Sequence, residues 1–166
     1  RCDIVFNNLV ACAYTTGKIE INSDGSPIRP AVHVQDVCSA FIAGLDAPKE
    51  SVAGKAFNVG FPKCNFSVRE LALKAQKAVP ASKLFFTGKY TNDERTYRVN
   101  FNKILRELKI YYKPQWDLEQ GAKELTQTFS KINFKENHFR GIMCNRLKMI
   151  NNLVENNRLS KDLRWL

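Results

Sequence analysis

Residues 14–22 read "YTTGKIEIN", and the change of period inside this stretch decides the class of the fold. Before it, the apolar residues of "DIVFNNLVACAY" recur as on a mostly buried helix. Gly17 is the residue type that most often follows a helix end. After it, Lys18-Ile19-Glu20-Ile21 alternates like a strand. A helix that passes into a strand across one glycine indicates an α/β chain. The stretch also sets Tyr14 and Lys18 at Tyr-x-x-x-Lys spacing. Such a pair can move a proton when one helical turn puts both side chains on one face, so that the ammonium lowers the phenol's pKa. Here two β-branched threonines and Gly17 end the helix first. Lys18 then lies beyond it, and no catalytic role is assigned.

Working outward, "SDGS" reads as a turn and "IRPAVHV" as an extended segment made irregular by Pro30. Val34 to Leu45 reads as a helix with Asp36 in its first turn and Val37, Phe41, Ile42 and Leu45 as its apolar set. "KAFNVG" reads as a strand closing on Gly60. Ser67-Val68-Arg69-Glu70 is a capping box, so a helix starts at Ser67 and ends before Pro80. "KLFFTG" is a strand, "TYRVN" a short extended piece, and Asn100 a cap for the helix "FNKILREL". Asp117 caps a helix from Leu118 to Lys131 whose inward stripe is Leu118, Ala122, Leu125 and Phe129; Trp116 precedes it as a core residue. Phe139, Met143, Leu147, Ile150 and Val154 have the spacing of one amphipathic helix, and "RLSKDLRWL" ends the chain as a docking segment.

At 166 residues and 44% hydrophobic, the chain is long enough to bury a core. No apolar run approaches the length of a membrane helix, and the first residues lack the order of a secretory signal. Five cysteines without C-x-x-C, beside only His33 and His138, suggest reduced thiols in a cytoplasmic protein and no metal site. The net charge of +10 invites a polyanion. Half of that excess, a net +5, falls between Lys131 and Leu166 without zinc-finger or basic-zipper spacing, so nucleic acid is not the partner expected from the sequence. A solvated helix face or attraction of anionic metabolites accounts for the charge as well.

The order of these pieces is more informative than any one of them. "NNL", "GKIEI", a glycine turn, "IRPAVHVQDV", "FNVG", "FSVRELALK" and "ERTYRVNFNKILREL" together resemble the C-terminal half of the extended short-chain dehydrogenases, the NAD-dependent nucleotide-sugar epimerases and dehydratases. The resemblance covers residues 1–132. It implies the substrate-binding part of a Rossmann-type α/β fold, with residues 133–166 as a helical C-terminal extension packed on it. No G-x-x-G-x-x-G occurs, and the chain opens at Arg1. The expectation is therefore a piece that lacks the N-terminal half, where the family binds NAD and carries its catalytic Tyr and Lys. The fragment would be inactive alone.

What the resemblance implies for this half is the substrate pocket. Asn8, with the backbone at Leu9, falls on the family's phosphate-contacting Asn-Leu at a helix start, where orphan N–H groups favour anions. Arg29 and Arg95 fall on two arginines that clamp the diphosphate. Glu20, Ile21 and Asn22 fall on the strand beside the nucleobase. Pro30 stands where many members have Asp, and Asn22 where many have an aromatic residue, which leaves backbone hydrogen bonds rather than stacking to read the base. His33 reads as a packed structural residue and Asp36 as a helix N-terminal carboxylate. The implied partners are a nucleotide sugar and a second copy of the chain, the cofactor NAD, with no metal. A stand-alone nucleotide-sugar binding module and a basic nucleic-acid-binding domain are the alternatives.

Overall fold

A computed structural model describes residues 1–87 and 96–166. Helix α1 spans Val5–Thr16 and buries Phe6, Leu9, Val10, Cys12 and Ala13. Gly17 ends it in the left-handed region at φ 68° and donates its N–H to Ala13, as its position in the sequence indicates. Strand β1, Lys18–Ile21, follows at once, with Ile19 and Ile21 fully buried and Lys18 and Glu20 outside. Tyr14 and Lys18 separate at this junction. Tyr14 packs on Phe129 with ring centroids 5.4 Å apart, while Lys18 lies over Phe85.

Strand β2 (Ile28–Pro30) pairs antiparallel with β3 (Asn65–Ser67), setting Arg29 opposite Phe66. Helix α4, Val68–Ala78, starts directly from β3. Ser67 Oγ accepts the Glu70 N–H at 3.1 Å while Glu70 accepts the Ser67 N–H at 2.7 Å, completing the capping box read from sequence. β4 (Lys83–Phe86) then pairs parallel with β1. Parallel neighbours need a crossover, and α4 supplies it. Leu71, Ala72 and Ala75 pack under α1 and β1 in the main core, which Ala122 and Phe129 of α6 (Leu118–Lys131) close from the other side.

A second core forms where Ala40 and Ala43 of α2 (Val34–Asp46) and its C-cap Ala47 meet Ile104 of α5 (Asn102–Glu107), Leu108 and Tyr112. The apolar face expected to point inward is here turned out: Phe41 is 74% exposed and Leu45 85%. Small alanines allow close approach of the neighbouring elements, and a stripe by itself does not say which neighbour it meets. The one-turn helix α3, Lys49–Val52, follows.

Residues 55–60 do not form the expected strand. A strand exists only with a partner ladder, and this segment is tied by side chains instead: Lys103 Nζ donates to the Ala56 carbonyl at 2.9 Å and Asn58 Nδ2 to that of Asn100 at 3.2 Å. Gly60 closes it at φ 148°, where a Cβ would stand 2.7 Å from the Phe101 ring. Asn100 does not cap α5 directly. Phe101 takes the cap position, and Asn100 Oδ1 accepts the Asn102 N–H at 2.8 Å.

The single tail helix is also two. Helix α7 spans Glu136–Arg140 and α8 spans Arg146–Glu155. Asn145 caps α8 by accepting the Lys148 N–H, and the Cys144 carbonyl accepts the Cys2 N–H at 2.9 Å. The break lets Phe139 enter the main core beside Phe134 while Met143 stays exposed. Leu159 and Trp165 form a bridge in the last segment.

Candidate functional site

Helix α2 and the approach to α6 form a rigid joint. The His33 ring stacks on Trp116 with centroids 3.9 Å apart. Its Nδ1 accepts the Gln35 N–H at 3.2 Å, which places the proton on Nε2, 2.8 Å from Glu124 Oε2. Asp36 is buried and accepts from the Gln115 and Trp116 N–H groups. His33 and Asp36 are thus the structural residues the sequence suggests, and Trp116 is half-buried as their partner.

The residues implied by the resemblance lie on three elements. On β1, Glu20 is exposed, the Ile21 side chain is in the core, and Asn22 sits just past the strand's end. The Ile21 carbonyl accepts the Thr87 N–H at 3.0 Å, and Asn22 Oδ1 accepts the Thr87 hydroxyl at 2.9 Å. On β2, Arg29 is half-buried; its Nη1 donates to the Ile28 carbonyl and its guanidinium lies 5.8 Å from the Tyr97 ring. The Ile28 N–H donates to Thr96 Oγ1 at 2.9 Å, so β2 runs beside Thr96. Arg95 lies outside the described residues.

On α1 the expectation needs correction. Asn8 is not among orphan N–H groups, because the helix starts at Val5 and the Asn8 N–H already donates to Ile4 at 2.8 Å. Leu9 is buried in the core. What remains for a ligand at this point is the exposed Asn8 amide, whose Nδ2 donates to the Cys2 carbonyl at 3.0 Å.

Sequence reasoning missed Arg69, legible only as a helix residue. Its Nη2 donates to the Asp24 carbonyl at 3.1 Å and its guanidinium lies 4.6 Å from the Phe86 ring, at the end of β4 opposite Ile21. Gly25 has φ 83°, and a Cβ there would stand 2.9 Å from Arg69 Cβ, so the turn before β2 closes against this arginine. Among the described residues, the turns before α2 and α4 do not fit a dinucleotide's pyrophosphate. Where a strand leads into a helix here, the first turn carries a carboxylate, Asp36 in α2 and Glu70 in α4, and no glycine turn precedes either.

Residues 3–60 match the sequence model of the NAD dependent epimerase/dehydratase family. Over 108 residues the chain is 31% identical to a dTDP-glucose 4,6-dehydratase of an Actinoplanes species, a match covering 64% of this chain and 32% of that protein. Among solved structures, UDP-glucuronic acid 4-epimerase from Bacillus cereus superposes with a TM-score of 0.64 at 19% identity, over 80% of this chain and 41% of that one. The dTDP-glucose 4,6-dehydratase from Bacillus anthracis, solved with NAD, gives 0.62 at 22%, over 82% and 42%. At these identities the superpositions speak for the fold. The chain spans about a third of the curated relative's length and about two fifths of the solved chains. The resemblance read from the motif order is thus borne out by the family match over residues 3–60, and the fold is a partial Rossmann-type unit like that of the NAD-dependent epimerases and dehydratases.

Proposed function

We propose that this chain is the substrate-binding portion of an NAD-dependent nucleotide-sugar epimerase or dehydratase. The observation that carries the reading is the family match over residues 3–60, which contains Asn8, Leu9, Glu20, Ile21, Asn22 and Arg29. In this reading Arg29 and Arg95 hold the diphosphate by charge-assisted hydrogen bonds, Asn8 adds an amide donor, and the end of β1 lies beside the base. NAD would be held by chain outside these 166 residues, since the described turns before α2 and α4 each carry a carboxylate. The whole protein would oxidise a sugar carbon by hydride transfer, rearrange the keto sugar, and reduce it again or release the dehydrated product.

Two features support a longer partnered protein: the outward apolar face of α2 and the strand-like residues 55–60, which have no ladder among the described residues. Both suit packing against a further layer of α/β structure. Residues 1–132 then act as the substrate half and 133–166 as its extension, in a cytoplasmic homo-oligomer.

The test is calorimetric titration of the chain with uridine diphosphate and thymidine diphosphate, followed by incubation with nucleotide sugars and NAD. Binding of one diphosphate, weakened about tenfold by Arg29→Ala, with no turnover, is the expected result. Turnover by the chain alone, or no binding of either diphosphate, refutes it.

A further inference from the structure

A small cleft of about 130 Å³ opens where the tail folds back on α1, lined by Cys2, Asn8, Phe139, Arg140, Asn145 and Lys148 among others, none of them a carboxylate. Its hydrogen-bonding groups are nearly all donors with capacity left. Among the described residues Arg140 hydrogen-bonds through Nε alone, to Glu136 at 2.7 Å, while its guanidinium lies 5.2 Å from the Phe139 ring. Lys148 Nζ donates once, to the Arg140 carbonyl at 2.9 Å. Asn8 Nδ2 uses one of its two hydrogens on the Cys2 carbonyl. Asn145 accepts the Lys148 N–H through Oδ1, which leaves its NH2 for another acceptor. Of the nearby carboxylates, Glu136 is engaged by Arg140, and Asp3 by Arg1 Nε at 2.8 Å and the Arg146 N–H at 2.9 Å, while Glu20 on β1 also acts electrostatically on Arg140.

A donor-rich, cationic and confined cleft selects a compact anion with several acceptor oxygens. The geometry points to Arg140 and Lys148 of the tail as further substrate-binding residues, which with Asn8 hold a phosphate group of the nucleotide sugar. The inference rests on the proposed function for the identity of that anion, and on the cleft alone for its charge. Both cations come from the helical extension, outside the segment that matches the family. The extension thereby becomes part of the substrate site. Glu20, on β1, lies close enough to contribute to the raised pKa of Arg140, after the dominant pair with Glu136.

The test titrates the 166-residue chain at low ionic strength with uridine diphosphate, uridine and inorganic pyrophosphate. The variants are Arg140→Gln and Lys148→Gln, with Arg29→Ala for the proposed site and Lys161→Gln as an exposed tail charge outside the cleft. The expected result is uridine diphosphate binding weakened about tenfold by each cleft variant, uridine binding unchanged, and little effect of Lys161→Gln. If the cleft variants bind like the parent while Arg29→Ala fails, the inference falls and the proposed function stands. An equal loss in Lys161→Gln reduces the effect to bulk charge and also overturns it. If uridine diphosphate does not bind but pyrophosphate does, and the cleft variants abolish that, the proposed function fails and the anion cleft stands. Absence of binding by both anions overturns both.

Discussion

Asp36 accepts the Gln115 N–H at 2.9 Å across 79 residues of chain, and its second oxygen takes the Trp116 N–H at 3.2 Å. The carboxylate is 2% exposed, so its removal leaves two donors without partner or water. Asp36→Ala is expected to destabilise the chain by about 2–4 kcal/mol, read from the urea midpoint. Asp36→Asn keeps one acceptor and should cost less. No change with either would mean that water reaches these amides.

Glu70 closes the α4 capping box, and the hydrogen bonds it accepts from Ser67 hold its carboxyl below the ordinary value of 4.5. A carboxyl depressed on folding contributes stability that is complete above its unfolded pKa and is lost as pH falls through the folded value. The stability gap between the parent chain and Glu70→Ala should therefore be present at pH 7 and shrink below about pH 4.5. A gap independent of pH between 7 and 3 would remove the carboxylate from the cap.

Cysteine reactivity should divide by burial. Cys38 is exposed on α2, whereas Cys2 and Cys64 are buried. Burial, aided by the neighbouring Cys144, pushes the Cys2 thiol up to about 11, and burial likewise raises Cys64. Since the thiolate is the nucleophile, mass spectrometry after brief alkylation at pH 8 should find Cys38 labelled first and Cys2 and Cys64 only on unfolding. Early labelling of Cys2 would show the junction with Cys144 to be open.

Tyr112 is buried in the second core, and among the described residues its hydroxyl finds no acceptor, although the Gly60 backbone approaches it. Burial, with Asp36 nearby, pushes the phenol up to about 12. A donor buried without an acceptor favours its own removal. Tyr112→Phe should be neutral or stabilising by up to about 1 kcal/mol in thermal unfolding, and a marked loss would reveal a bound water at the hydroxyl.

The outward face of α2 should govern association. Phe41→Glu combined with Leu45→Glu is expected to change stability by no more than about 0.5 kcal/mol per site, because both side chains face solvent. It should also reduce self-association in sedimentation velocity. Unfolding of the double variant would place these side chains in a core.

Signals carried within a few residues were legible in the sequence. The helix end at Gly17, the alternation of β1, the capping box at Ser67 and the cap at Asp117 each depend on local backbone geometry and one nearby side chain, so the residues that form them lie close together in the chain. The order of the motifs, from Asn8 through Arg29, carried the family for the same reason. What tertiary structure decided depended on distant partners. Phe41 and Leu45 turn outward because alanines on the other side of α2 meet Ile104 and Leu108. Residues 55–60 stay off a sheet because a ladder needs a second strand. The tail breaks between Phe139 and Asn145 so that Phe139 can enter the main core and the Cys144 carbonyl can meet Cys2. Asn8 is separated from Arg140 and Lys148 by well over a hundred residues of chain and shares one cleft with them only because that break folds α7 and α8 back on α1. Periodicity records that a face is apolar or a residue charged; which partner it meets is fixed by the free energy of the whole packed chain.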